Sequence, residues 1–353
     1  MNFETLVINP GSTSTKVAVY QGKKQLFQTN LCHPIEEIEK YPQISDQFDF
    51  RTQAILKVVE EQSYDLNRLS AVVGRGGLLR PIESGTYEVT EKLKEDLRLG
   101  VSGQHACNLG GLIADEIAQK YQIPSYIVDP VVVDELQPLA RFSGTEALER
   151  SSIFHALNHK AVGRIAAEKQ GTDYDKQNYV IAHLGGGVSV ASHEKGRVVD
   201  VNNALGGEGP FSPERAGGVP VYHFMQLTKE WPQDKIYKTL VGKGGLVSYL
   251  GTNDLRVVEQ LIAEGDQKAK LVFDAMAYQI SKEIGANCAV LKGKIDAIVL
   301  TGGLCYSDSF VQSITEYVSW MAPIIVVPGE DEMGALNQGA QRVLAKIEHA
   351  KQY

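Results

Sequence analysis

Two stretches far apart in this chain follow one plan. LVINPGSTSTKVAVYQGK (6–23) and VIAHLGGGVSVASHEKGR (180–197) align without a gap, placing Gly11 on Gly185 and Gly22 on Gly196. Each reads as an apolar strand, a glycine-containing turn, a second apolar strand and a basic-Gly turn, and the second copy continues into a third strand, RVVDVNNAL. A strand–turn–strand unit opening each half, with matched glycine spacing, predicts an internal duplication rather than two unrelated hairpins. The length of 353 residues agrees, since domains run to roughly 100–200 residues each.

Between and after the two meanders lies α/β material. Residues 50–62, 90–99 and 106–121 are predicted helical, and 70–75 and 124–130 are predicted strands. Ser151 and Ser152 are placed to cap a helix over 153–169. In the second half, Val272, Met276, Ile280, Ile284 and Cys288 recur every four residues and predict one packed stripe of a helix over 268–291. Strands at 296–303 and 323–329 and helices from 308 and over 331–348 complete the reading.

A net charge of −8 argues against nucleic acid as a partner, because a phosphate backbone calls for a basic face. A small anion needs only a few local donors. Cys32, Cys107, Cys288 and Cys305 form no C-x-x-C pair and read as reduced thiols. No run of about 18 apolar residues predicts a membrane span, and MNFETLVIN reads as a strand and not as a targeting segment, so a cytoplasmic location is expected.

The turns carry the chemistry. In NPGSTSTK (9–16), small residues and hydroxyls can bring donors to an anion, with Lys16 beside them and Asn9 at the strand end. HLGGGVS (183–189) strips side chains from a turn, and TGGLCYS (301–307) puts a glycine pair between a strand and a helix, the position at which open α/β sheets take nucleotides. Arg75 in VVGRGG and Arg215 in SPERAGG offer guanidinium forks for carboxylate or phosphate. Asp129 precedes a proline and is expected to project from an extended backbone. His155 and His159 share a helix face but lack the H-E-x-x-H glutamate of a zinc site; His155 is better suited to donating a hydrogen bond to an anionic transition state. His105 and His183 are secondary candidates. Glu330, Asp331 and Glu332 precede the last helix, where acids suit the helix dipole or a magnesium site.

Taken together, VINPGSTSTK (7–16), VVGRGGLLRP (72–81), VSGQHACN (101–108), IVDP (127–130), IFHALNHKAVGR (153–164), AHLGGGVSV (182–190), GPFSPERAGGVP (209–220), GTNDLR (251–256) and TGGL (301–304) resemble the acetate/butyrate kinase family of the acetate and sugar kinase/Hsp70/actin superfamily. The resemblance spans essentially the whole chain. It implies an α/β fold of two duplicated actin-like, ribonuclease H-like domains around an ATP cleft: residues 1–150 with a returning C-terminal helix at 330–353, and residues 151–329. It implies transfer of the γ-phosphoryl group of ATP to butyrate or another short or branched-chain fatty acid, giving an acyl phosphate reversibly, and a homodimer or higher homo-oligomer. By family pattern Arg75, Asp129, His155 and Arg215 would be catalytic. Ser12, Ser14, Lys16, His183, Gly185, Gly186, Gly187, Asp254, Arg256, Gly302 and Gly303 would face ATP or ADP. Asn9 and Glu332, or Asp331 in its place, would organise Mg²⁺. Gly74, where acetate kinases carry valine, would leave room for a longer acyl chain. Acetate or propionate as acceptor, a sugar or polyol kinase, and a non-catalytic ATP-gated protein are the alternatives.

Overall fold

The computed structural model describes residues 3–353 and groups them into two compact units, one running to residue 133 and joined by 331–353, the other 134–330. The first two residues of the expected opening strand lie outside the described residues.

The first unit is built on a six-stranded sheet of β1 (Glu4–Pro10), β2 (Ser14–Gln21), β3 (Lys24–Cys32), β4 (Ala71–Arg75), β5 (Thr86–Glu88) and β6 (Ser125–Val128), in the order β3-β2-β1-β4-β6-β5. β1 is buried along its whole length because it pairs antiparallel with β2 on one side and parallel with β4 on the other. β3, at the edge, alternates between exposed and half-buried positions. The Glu332–Leu344 helix packs on this sheet, with Thr5 Oγ1 donating to Asn337 Oδ1 at 2.7 Å and Asn337 Nδ2 to the Gly22 carbonyl at 2.8 Å.

A small hairpin, β7 (Phe142–Thr145) and β8 (Leu148–Glu149), opens the second unit. Its main sheet comprises β9 (Asn178–Leu184), β10 (Val188–Glu194), β11 (Arg197–Val201), β12 (Ala297–Gly302) and β13 (Ile324–Pro328), in the order β11-β10-β9-β12-β13. An antiparallel meander followed by a parallel strand against its first member thus recurs in both sheets. The Gln267–Val290 helix lays Val272, Met276, Ile280, Ile284 and Cys288 into the core on one sheet face, the stripe the four-residue spacing predicts. Val162, Ala166 and Tyr174 cover the other face.

Residues 134–150 belong with this second unit, so the chain changes unit at 133/134 and not at 150. Glu135 accepts from Lys160 Nζ at 2.6 Å and from the Val198 amide at 2.8 Å, and Arg150 donates to Asp200 at 3.0 Å. Among the described residues no helix is long and apolar enough to cross a membrane.

Candidate active site

In the first unit the β1–β2 turn is organised by a residue the sequence reading passed over. Arg51, wholly buried on the Phe48–Glu61 helix, donates to the carbonyls of Gly11 at 2.9 Å, Ser12 at 3.0 Å and Ser14 at 3.0 Å, and to Thr15 Oγ1 at 3.0 Å. The Thr13 carbonyl accepts from the His33 amide at 2.8 Å. With its carbonyls gathered inward, the turn leaves the Ser12 and Thr13 amides without a protein partner among the described residues. The Ser12 and Ser14 hydroxyls are likewise unpartnered there, and Lys16 is exposed on β2. Such a concavity of unpaired N–H groups is suited to an anion. Gly11 keeps an ordinary backbone, so the turn does not depend on a left-handed glycine there.

At the end of β1, Asn9 Nδ2 donates to Glu332 Oε2 at 2.8 Å, and Arg75 Nη1 pairs with Glu332 Oε1. Burial pushes the Glu332 carboxyl up, but the Arg75 charge, the Asn9 and Arg75 hydrogen bonds and the Lys16 charge outweigh it and hold it below the usual range. Asp331 is spent otherwise: it accepts from the Gly334 amide at 2.8 Å and caps the last helix. Glu332 with Asn9 is therefore the oxygen pair that could hold a magnesium ion, which takes one or two carboxylate ligands, keeps several waters and draws the rest from phosphate. No cluster of three or more His, Cys, Asp or Glu side chains fit for a metal occurs among the described residues.

Two expectations for this unit are corrected. Asp129 is not extended; its φ is +38°, because its amide donates to the Gly85 carbonyl at 3.0 Å while its carboxylate accepts from Ser84 Oγ at 2.6 Å and the Gly85 amide at 2.8 Å. Those bonds to residues 84–85 override the extended preference before proline. Gly74 does not open an acyl pocket. A Cβ there would lie 2.1 Å from the Gly110 carbonyl oxygen, so the glycine serves the close packing of β4 on the Asn108–Tyr121 helix.

In the second unit the triple-glycine turn joins β9 to β10. Ser212 Oγ donates to the Gly186 carbonyl at 2.6 Å, and the Glu214 amide bonds the same oxygen at 3.2 Å. A Cβ on Gly187 would sit 2.0 Å from Arg215 Nη1, so the missing side chain is the space the guanidinium fills. Arg215 donates to the Ala204 carbonyl at 2.8 Å and has no carboxylate in ion-pair range among the described residues. Burial lowers its pKa. A partly desolvated guanidinium with most of its fork unspent is a ready anion receptor.

Gly185, Gly186, Asp254, Arg256, Gly303 and Tyr306 are among the residues lining a cavity of about 620 Å³ beside this turn, within the size range of ligand sites. Gly302 is held at φ +95° with β9 so near that a Cβ would meet the Leu184 carbonyl oxygen at 2.4 Å. Gly303 meets nothing within 4 Å, leaving open space. Asp254 caps the Leu255–Ala263 helix and pairs with the exposed Arg256 at 2.6 Å.

His155 stands at the N-cap of the Ala156–Lys169 helix, so the helix begins later than Ser151 or Ser152 would set it, and neither serine caps it. Its ring stacks on His183, centroids 3.9 Å apart. His183 Nδ1 lies 2.8 Å from Asn158 Nδ2, and its Nε2 is 3.7 Å from Glu330. His159 is wholly buried in a row with His193, and nothing about it suggests a metal ligand. His105 contacts Cys107 Sγ at 3.0 Å in the first unit.

Three buried histidines carry a pH consequence. His33 is lowered from 6.5 to about 4 by burial and then by Arg51, and burial together with neighbouring positive charge holds His159 and His193 well below their ordinary value. The unfolded chain binds protons at these sites first, so their neutral burial stabilises the fold fully above pH 6.5 and that stability is lost as pH falls toward 4. Thermal unfolding followed from pH 7.5 to 5 is expected to shift steadily downward; a flat profile would contradict the neutral assignment.

The chain matches the acetokinase family over residues 138–325. It is 56% identical to a protein of Listeria welshimeri named "Probable butyrate kinase", over 355 aligned residues that take in 100% of both chains. A protein of the same name from Listeria innocua is 55% identical over the same span. Among solved structures, Porphyromonas gingivalis acetate kinase superposes with a TM-score of 0.80 at 22% identity, covering 97% of this chain and 100% of its own. A Francisella tularensis propionate kinase gives 0.73 at 19%, covering 96% and 98%. The structural likenesses speak to the fold; the full-length identities decide the lineage, and this chain belongs to the acetokinase family.

Proposed function

We propose that this chain is a carboxylate kinase that transfers the γ-phosphoryl group of ATP to butyrate or a similar short or branched-chain acid, forming acyl phosphate and ADP reversibly. The observation that carries the reading is the full-length identity of 55–56% to proteins named as probable butyrate kinases. The common strand order of the two sheets supports a further inference, that both units descend from one actin-like module.

The acceptor carboxylate is already ionised at neutral pH, so the reaction needs charge neutralisation and alignment more than a base. Arg215, with no carboxylate in ion-pair range among the described residues, would take the migrating phosphoryl group or the acid, and Arg75, steadied by Glu332, the other. His155 would donate to the equatorial oxygens. The Ser12–Ser14 turn with Lys16, and the Gly185–Gly187 turn with His183, would receive phosphate oxygens on their respective units. Gly302, Gly303, Asp254 and Arg256 would border the nucleotide. Mg²⁺ held through Asn9 and Glu332 would supply neutralisation of phosphate charge. Asp129, bound to Ser84 and Gly85, would orient its loop. Those same bonds count against a sugar or polyol kinase, which would need that carboxylate as a base.

Trapping acyl phosphate with hydroxylamine across linear and branched acids of two to six carbons tests this. Each methylene buried contributes about 0.8 kcal/mol, so kcat/KM should climb about fourfold per carbon to a maximum near butyrate. Reaction with acetate alone would refute the acceptor assignment, and reaction with none, while a polyol consumes ATP, would refute the carboxylate kinase itself.

A further inference from the structure

The role given to His155 raises the question of what holds its ring, and the interior behind it supplies four side chains in line. His155 Nδ1 lies 2.9 Å from Ser189 Oγ, and the same hydroxyl lies 2.8 Å from His159 Nε2. His159 Nδ1 is 3.2 Å from His193 Nε2, and His193 Nδ1 is 2.5 Å from the Tyr174 hydroxyl. Ser189, His159 and His193 are 0% exposed and Tyr174 is 8%. The His159 and His193 rings are within 4° of parallel.

The direction of such a row is constrained. A neutral imidazole has one N–H and one lone-pair nitrogen, so fixing any one link fixes its neighbours. Burial keeps His159 and His193 neutral. A phenol hydroxyl is a stronger acid than a neutral imidazole N–H, so Tyr174 is the donor in the 2.5 Å contact with His193 Nδ1, and the His193 proton sits on Nε2. His159 Nδ1 must then accept from His193 Nε2–H, which leaves the His159 proton on Nε2, facing Ser189 Oγ. Ser189 Oγ, receiving from His159, has its own proton to give.

We propose that Tyr174, His193, His159 and Ser189 form a one-way donor chain that ends by donating to His155 Nδ1 and so fixes His155 as the Nε2–H tautomer. The assignment rests on the carboxylate-kinase reading for its purpose: a ring held this way offers a proton to an anionic phosphoryl oxygen, where the other tautomer would offer a lone pair. None of the four touches substrate in this scheme; they are positioning residues. Nothing in the sequence motifs marks them, because bonded partners lie 19 to 34 residues apart and meet only once β10 lies against the Ala156–Lys169 helix.

The test is long-range ¹H–¹⁵N NMR of the full-length protein carrying ¹⁵N-histidine, with His155 assigned by substitution. The expected spectrum shows one His155 tautomer, protonated at Nε2 with Nδ1 a lone-pair nitrogen. Tyr174→Phe keeps the ring and removes the first donor. It should convert His155 to a mixture and lower kcat about tenfold, the scale at which outer partners of functional histidines act, with KM for ATP and acid within twofold. Ser189→Ala should do the same and Ser189→Thr should restore both readouts. A wild-type His155 protonated at Nδ1, or a Tyr174→Phe protein that melts lower yet keeps the wild-type His155 spectrum and kcat, would overturn the proposal. The spectrum is read without turnover, so failure of the carboxylate-kinase reading in the hydroxylamine assay is distinguishable from failure of this one.

Discussion

Replacing Arg215 with alanine is expected to cut the rate of acyl phosphate formation about a thousandfold, the scale on which arginines facing a transferring phosphoryl group act, and to leave the melting temperature unchanged or slightly raised. The two halves of this expectation have one cause. Arg215 is partly desolvated, lowered in pKa by burial, and holds one carbonyl with no carboxylate in ion-pair range among the described residues. A charge kept in that condition costs the folded protein more than it returns, and the cost is recovered when an anion arrives. Lysine should restore little, because a point charge cannot reproduce the fork. Gly187→Ala should imitate part of the loss by displacing the guanidinium whose Nη1 would sit 2.0 Å from the new Cβ. Steady-state rates with butyrate beside thermal melts decide the matter. A variant that melts several degrees lower while keeping more than a tenth of its rate would make Arg215 a structural residue.

The strands and glycine turns of this chain were legible because their signals are local. β1 and β12 are buried along their whole length and carry the short apolar runs LVI and AIVL, and the stripe from Val272 to Cys288 declares its helix by spacing alone. Three kinds of feature were not legible. Asp129 takes a left-handed backbone because Ser84 and Gly85, distant in sequence, claim both its amide and its carboxylate. Gly74 is small for the sake of Gly110, across a strand–helix contact that no residue near it announces. The Ala156–Lys169 helix begins after its two serines, since Ser151 Oγ accepts instead from Asn203 Nδ2 at 3.0 Å. In each case a tertiary partner outweighed a sound local preference. Among the candidate site residues, Asn9, Arg75 and Glu332 do gather in the first unit and Arg215 does stand on the triple-glycine turn in the second. Charge type and glycine context pointed to them individually, and the contacts among them belong to the fold.

Arg51 is the residue whose removal should do the most to the first unit. In the sequence it is one basic residue in a helical stretch, FDFRTQAIL, indistinguishable from a solvated surface charge. In the fold it is 0% exposed and, among the described residues, has no carboxylate in ion-pair range; Gln47 Oε1, at 2.9 Å, and the oxygens of the β1–β2 turn satisfy it instead. Removing it strips charge-assisted hydrogen bonds from several buried oxygens at once. Each such bond contributes about 1.5–3 kcal/mol, and with partial rehydration of the turn Arg51→Met should lower stability by about 3 kcal/mol or more. The functional loss should exceed what that destabilisation explains, because the carbonyls held inward by Arg51 are what turn the Ser12 and Thr13 amides outward. With the turn free to flip, KM for MgATP should rise at least about tenfold, the worth of one such donor pair, even at temperatures where the variant is fully folded. Arg51→Lys should recover stability better than affinity, since an ammonium can satisfy some of these oxygens but cannot span the turn as a planar fork does. Melts and MgATP titrations of both variants at 15 °C separate the two effects. An Arg51→Met protein that melts lower yet binds MgATP as the parent does would show that the turn keeps its shape unaided and that the anion-receiving geometry assigned to it is not Arg51's doing.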